Sequence, residues 1–277
     1  MNFFLLITIP VYLIVSLSFT SSYVLSPDKR DDKFKWGYLG SNGPAYWHLA
    51  NETCKGVNQQ TPIDLKLEDF TNPTKIELDI TKEAELILLN NGYTYQVQQP
   101  GGTDKKPEMN YGATLKVDGE TYYLLQLHFH MPSEHHIEGR DLLLEGHWVF
   151  QTSDANAKVA VLGVFFDLGE NEDPSLKPIV DEINYKPLEV GENVTISMSV
   201  GEQIFKKIKT AYSYIGSFTT PPCTENVRWF VSPDVQSINP SQFKSLKYVL
   251  KYNTRITQKR IDGGEPTSYK PWKPDIN

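Results

Sequence analysis

Between residues 75 and 231 the chain is punctuated every few residues: short runs rich in Leu, Val, Tyr, Phe and Thr are closed by Gly, Pro or Asn. A polymer broken up in this way builds strands joined by turns rather than long helices. Strand candidates fall at 85–89, 93–98, 113–117, 122–130, 142–151, 158–168 and 194–200. Helical signals are few. Asp173-Pro174 reads as a cap and first turn, with Leu176, Ile179, Val180 and Ile183 following at helical spacing. A second short helix is expected from Asn239-Pro240, with Phe243, Leu246 and Leu250 on one face. The expected fold is mainly β: a single domain with a large, mostly antiparallel twisted central sheet and a few short peripheral helices. No Gly/Ser/Pro-rich linker or internal repeat divides the 277 residues, and an apolar content of 39% suffices for one core.

The formal charge of −7, without any basic run, argues against nucleic acid or an anionic membrane surface as partner, since both require clustered Lys and Arg. A small or neutral substrate remains.

Five of the six histidines lie between His128 and His147. In the run 124–130, alternation puts Gln126, His128 and His130 on one face and Leu125, Leu127 and Phe129 on the other. The run 143–149 likewise puts Glu145, His147 and Val149 together, so a hairpin would set His147 beside the first two imidazoles. Three neutral imidazoles suit Zn2+ and leave a fourth tetrahedral position for water, the catalytic rather than the structural arrangement. Gln126 and Glu145, each two residues before a histidine, are placed to accept the ring N–H that a metal-bound imidazole keeps. The plainer alternative is a set of half-exposed strand histidines without metal. A cupin-type site fits His128-x-His130 followed by Glu134, but that motif's glycines are missing, and Gln151 stands where it needs Asn.

Residues 3–19 run apolar and reach small residues at Ser21 and Ser22, which reads as a signal peptide over 1–22 followed by a polar segment, 23–33. The leading residues carry no Lys or Arg and the run approaches the length of a bilayer span, so an uncleaved N-terminal anchor is the alternative. The polar, Pro-rich stretch 270–274 does not fit a lipid-anchor signal, which needs an apolar tail. The only two cysteines, Cys54 and Cys223, would pair in an oxidising compartment; two buried thiols are the other possibility. Asn51-Glu52-Thr53 and Asn193-Val194-Thr195 fit the N-glycosylation pattern. All of this favours a secreted protein.

From Trp36 to Gln258 the chain resembles the alpha carbonic anhydrases, and 34–277 is read as that domain. The likeness is carried by Trp36-Gly37-Tyr38, Gln60-Thr61-Pro62-Ile63-Asp64, Asn90-Asn91-Gly92, Gln126-Leu127-His128-Phe129-His130, Pro132-Ser133-Glu134-His135, Glu145-Gly146-His147 and Ser217-Phe218-Thr219-Thr220-Pro221-Pro222. The resemblance implies reversible hydration of carbon dioxide to bicarbonate and a proton, by attack of hydroxide bound to zinc on His128, His130 and His147. It makes Thr219 the hydroxyl that donates to Glu134 and accepts from that hydroxide. It sets Thr220 on the polar side of the pocket and Val149, Val161, Val227 and Trp229 on the apolar wall. His135 and Asn253 become residues that orient the ligands or their neighbours, Asn253 through its backbone carbonyl. The same resemblance pairs Cys54 with Cys223 and puts cis peptide bonds before Pro62 and Pro222. A non-catalytic relative used for binding or storage is the competing reading; such relatives typically lack one or more of the zinc-binding histidines, and here all three are present.

Two positions depart from the family. Fast members carry a histidine after Asn-Asn-Gly to relay the proton, and here Tyr93 stands there. Phenols as a class titrate at ~10 and do not exchange protons readily with a group at ~7, so slow proton transfer is expected. Phe218 stands where leucine is usual, and the larger ring is expected to narrow access and weaken bulky aromatic sulfonamides.

Overall fold

The computed structural model describes residues 34–56, 59–80, 83–103 and 112–260. The expected signal peptide at 1–22, the polar segment 23–33 and the chain beyond 260 lie outside them.

Fourteen strands occur among the described residues. β1 (Asp64–Leu65), β2 (Thr74–Lys75), β3 (Glu77–Ile80), β4 (Ala84–Asn90), β5 (Tyr95–Gln98), β6 (Ala113–Val117) and β7 (Glu120–His130) are followed by β8 (His136–Ile137), β9 (Leu144–Gln151) and β10 (Val159–Leu168). Helix α1 (Lys177–Tyr185), β11 (Asn193–Met198) and α2 (Glu202–Lys207) precede β12 (Thr210–Ser217), β13 (Glu225–Val231), β14 (Gln236–Ile238) and α3 (Pro240–Leu250). Twelve strands form one sheet in the order β11-β4-β5-β7-β9-β10-β13-β12-β2, with β6 added to β7, β3 to β6 and β14 to β10. Pairing is antiparallel except where β10 meets β13 and β14. The sheet is mixed but largely antiparallel, as the punctuation of the sequence implies.

The middle strands are buried on both faces. Tyr122, Leu124, Leu127 and Phe129 of β7, Leu144, Trp148 and Phe150 of β9, and Ala160, Leu162, Val164 and Phe166 of β10 all enter the main apolar core. Burial of each large apolar side chain contributes roughly 1.5–3 kcal/mol. The alternate positions Val149, Val159, Val161 and Phe165 join Trp229 and Phe218 in a second apolar cluster on the opposite face. With both faces covered, these strands hold rigidly whatever else projects from them. Gly146 fits this packing because a Cβ there would lie 2.8 Å from the Trp148 ring and 3.3 Å from Phe129.

Several sequence expectations need correction. Leu125 does not share the core face of Leu127 and Phe129. The register slips between Leu124 and Gln126, and Leu125 is the extra residue of that bulge, so Leu124 takes its place in the core. Helix α1 begins at Lys177 rather than at Asp173-Pro174. Asp173 is engaged elsewhere: its carboxylate accepts from Ser175 N at 2.8 Å, and its backbone N–H and C=O both bond the Gln242 side chain of α3. The helix from Asn239-Pro240 forms as expected, with the Asn239 side chain accepting from Gln242 N at 2.8 Å. The run expected at 93–98 becomes a strand only at Tyr95. Asn91 Oδ1 takes the N–H groups of Tyr93 and Thr94, both at 2.9 Å, and turns the chain before it. Cis bonds precede Pro62 and Pro222 as expected, and Pro132 as well.

Cys54 and Cys223 form a disulfide across 169 residues. In the loop-entropy account such a link restricts the unfolded chain by ~5 kcal/mol. It joins a short turn of helix at Glu52–Lys55 to the loop after β12, beside Trp47, Trp36 and Tyr38. Among the described residues no helix is long and apolar enough to cross a membrane.

Candidate metal centre

Antiparallel pairing of β7 with β9 puts His128 directly opposite His147, with His130 two residues further along. The connection is not the simple hairpin expected, since β8 intervenes and pairs in parallel with β1. The three rings still converge: their centroids lie 4.9, 5.2 and 4.6 Å apart, and each offers one nitrogen within 4.8 Å of the others.

What aims them is a set of hydrogen bonds at the outer nitrogens. His128 Nδ1 lies 2.8 Å from Gln126 Oε1, His130 Nδ1 2.7 Å from the Asn253 carbonyl, and His147 Nε2 2.9 Å from Glu145 Oε1. Each partner oxygen can only accept, so each outer nitrogen must carry the proton and each inner nitrogen, Nε2, Nε2 and Nδ1 respectively, presents a lone pair. Burial lowers the pKa of His128 well below its ordinary value, brings His130 to about 3 and lowers His147, with neighbouring imidazoles adding to each shift. The cluster is neutral at physiological pH.

Glu145 anchors the second tier. Burial opposes its ionisation, yet its carboxyl is held well below the usual range by His135 and His147. Its oxygens accept from the backbone N–H groups of Glu134 and His135 at 2.9 and 2.8 Å, and from the rings of His135 and His147 at 2.7 and 2.9 Å. Gly163 supplies the space, since a Cβ there would lie 2.8 Å from Glu145 Oε1. His135 Nε2 lies 2.7 Å from the Tyr214 hydroxyl, which reaches on to Thr61 Oγ1.

Glu134, also fully buried, behaves oppositely: burial pushes its carboxyl well up, while Thr219 and the Arg255 N–H oppose the rise. Oε1 accepts from Arg255 N at 2.8 Å. Thr219 stands beside this carboxylate, although Oε2 has no hydrogen bond of full geometry.

A cavity of about 300 Å³ opens over the three histidines. Asn91, Thr94, Gln96, Thr219 and Thr220 give it a polar side; Val149, Val161, Phe218 and Trp229 give it an apolar one. Val227, expected on that wall, packs in the apolar cluster behind it and does not line the cavity. Tyr93 does line it, stacked on Trp36 with ring centroids 3.8 Å apart and planes within 6°. Asn51 stands at the same cavity, whereas Asn193 lies exposed on β11. Sequence reasoning missed Arg255 and Tyr214. Arg255 donates to Thr61 O and Gln60 Oε1, and both residues act through partners more than 70 positions away, beyond the reach of any local pattern.

The donor set fits Zn2+. Three neutral nitrogens, from side chains whose outer atoms are satisfied, would fill three of the four positions that the ion takes, and His130 Nε2 is buried without any hydrogen-bond partner. Leaving such an atom unpaired costs roughly 1–3 kcal/mol, a penalty that a bound cation removes.

Residues 42–263 match the family model for eukaryotic-type carbonic anhydrases. A carbonic anhydrase of Nostoc sp. is 32% identical over 251 residues, covering 86% of this chain and 87% of that protein. The structure of Photobacterium profundum alpha-carbonic anhydrase superposes with a TM-score of 0.67 at 31% identity, covering 81% of this chain and 96% of the other. That of the Thermovibrio ammonificans enzyme in complex with the inhibitor sulfanilamide gives 0.68 at 31%, covering 81% and 95%. With the sheet, the histidine geometry and these likenesses agreeing over most of its length, the chain belongs to the eukaryotic-type carbonic anhydrase family.

Proposed function

We propose that this carbonic anhydrase hydrates carbon dioxide reversibly at a zinc ion held by His128, His130 and His147, and that proton removal limits its turnover. The observation carrying the reading is the convergence of three buried, neutral imidazoles whose outer nitrogens are each bound to an acceptor. When bound, Zn2+ would supply a Lewis acid that brings the pKa of a water to ~7, a value for which carbonic anhydrase is itself the standard example rather than a deduction from these residues.

The chain's own groups supply orientation and exclusion. The Arg255 N–H occupies one oxygen of Glu134, leaving the other for the Thr219 hydroxyl. Donating there, Thr219 keeps its lone pairs for a water over the histidines and fixes how that water faces the substrate. Carbon dioxide has no net dipole, and Val149, Val161, Phe218 and Trp229 offer it an apolar wall without competing hydrogen bonds. Thr220 lies on the polar side, where bicarbonate would form and leave.

Tyr93 cannot relay protons as an imidazole does, and its stacking on Trp36 also holds the ring in place. Protons would leave through solvent and buffer. The disulfide agrees with an oxidising compartment, and we place the protein in the secretory pathway.

Stopped-flow hydration should show kcat/KM rising with pH through about 7, because the deprotonated water is the reactive form. A zinc chelator should abolish the activity and added Zn2+ restore it; activity indifferent to chelation would overturn the assignment. In dilute buffer Tyr93→His should raise kcat by roughly tenfold or more with kcat/KM unchanged, because proton removal follows the carbon dioxide step. Turnover of the parent that does not depend on buffer concentration would contradict the proton-transfer limit. Phe218→Leu should tighten a bulky aromatic sulfonamide by roughly fivefold, about 1 kcal/mol. Equal affinities would show that this ring does not set the aperture.

A further inference from the structure

The triplet Asn51-Glu52-Thr53, which fits the glycosylation pattern, begins at a residue that lines the cavity. Asn51 lines the cavity beside Leu49 and Ala50, while Glu52 and Thr53 are exposed. Its backbone is pinned at both ends: Asn51 N donates to Trp47 O at 3.0 Å, and Asn51 O accepts from Cys54 N at 3.0 Å. Trp47 is fully buried, and Cys54 is bonded to Cys223. On the other side of that bridge, Cys223 N bonds Thr220 O at 2.8 Å, in the segment whose Thr220, Pro221 and Pro222 also line the cavity. The Asn51 side chain is divided in function. Oδ1 accepts from the Thr53 N–H at 2.9 Å, capping the turn, and Nδ2, the atom that a sugar would take, has no role in that cap. The second triplet differs in place: Asn193 and Thr195 are exposed on β11, which among the described strands pairs with β4 alone.

We propose that Asn51 carries an N-linked glycan whose root is fixed at the rim, so that the sugar chain screens the cavity from bulky ligands while carbon dioxide passes. The proposal rests on the secretory reading given above. In the transfer, Nδ2 forms a bond to C1 of the first sugar of a lipid-pyrophosphate-linked oligosaccharide. The C1–O bond to the pyrophosphate breaks, the lipid pyrophosphate leaves, and the amide gives up one proton to the transferase. The cap survives this chemistry, because the modified nitrogen is not the atom that makes it. Screening of this kind acts on entry: a large aromatic ligand must wait for the sugars to move aside, whereas a three-atom substrate need not.

The full chain translated with endoplasmic-reticulum microsomes reports import by protease protection and modification by amidase deglycosylation, which turns a glycosylated Asn51 into Asp in the peptide mass. Thr53→Ala removes the acceptor signal and keeps the cap, whose donor is a backbone N–H. Protein secreted by a eukaryotic host should bind a bulky aromatic sulfonamide slowly, and Thr53→Ala should raise that association rate by roughly tenfold, within the range spanned by variants of one site. Carbon dioxide hydration should be unchanged, and Thr195→Ala should alter neither rate. A protected chain with bare Asn51 overturns the modification and leaves the export reading standing. A chain open to protease overturns both. A glycosylated Asn51 with equal association rates overturns the screening role.

Discussion

The outer nitrogen of each central imidazole is bound to an oxygen that can accept but not donate, and on that constraint the site depends. An amide oxygen, a backbone carbonyl and a carboxylate hold three rings in one tautomer and one orientation. Strand geometry alone would not do this. It brings His128 opposite His147 but leaves each ring free to rotate and to choose where its proton sits. With the protons committed outward, three lone pairs have nowhere to point but at one another, and the arrangement could hold a cation. Glu145 shows how the constraint is propagated. Four donors keep it ionised in a fully buried place, and the hydrogen-bonded series continues through His135 and Tyr214 to Thr61.

Such aiming requires strands that do not move. The sheet provides them because β7, β9 and β10 all enter the main core, and β9 and β10 also pack their other face into the second cluster that forms the apolar wall of the cavity. Packing and chemistry share residues here: Val149, Val161 and Trp229 belong both to that cluster and to the cavity surface. Two glycines mark where the demands conflict. Gly146 yields its volume to Trp148 and Phe129, and Gly163 yields its own to the Glu145 carboxylate. A side chain at Gly163 would displace the Glu145 carboxylate that holds His147, whereas one at Gly146 would disturb the core rings of Trp148 and Phe129.

How much of this could be read from the sequence depended on the range of the interaction. The His-x-His alternation, Gln126 and Glu145 are separated by two residues from what they touch, and strand periodicity alone reveals their common face. The cap at Asn239 was legible for the same reason. The bulge at Leu125 was not, because a single extra residue leaves composition unchanged and shows only in the pairing with β9. Asp173 beside Pro174 reads as a helix cap, but α1 starts only at Lys177: the Asp173 carboxylate takes the Ser175 N–H, and its backbone is held by Gln242, far along the chain. Asn253 and Thr219 were reached only through family resemblance; their side chains and carbonyls act on positions more than 80 residues earlier. Strand β12, with its half-exposed Tyr and Ser residues, gave too weak an alternation to be named, although it holds the tyrosine that meets His135.

The central claim, that these three imidazoles hold zinc and leave it one open corner, is tested most directly by X-ray absorption at the zinc edge of the purified full chain. The account predicts one zinc per chain with three nitrogen neighbours and one oxygen at about 2.0–2.1 Å, the oxygen exchanging for the nitrogen of an added sulfonamide. Absence of a zinc signal after incubation with Zn2+, or a shell closed by four protein ligands and indifferent to sulfonamide, would contradict it.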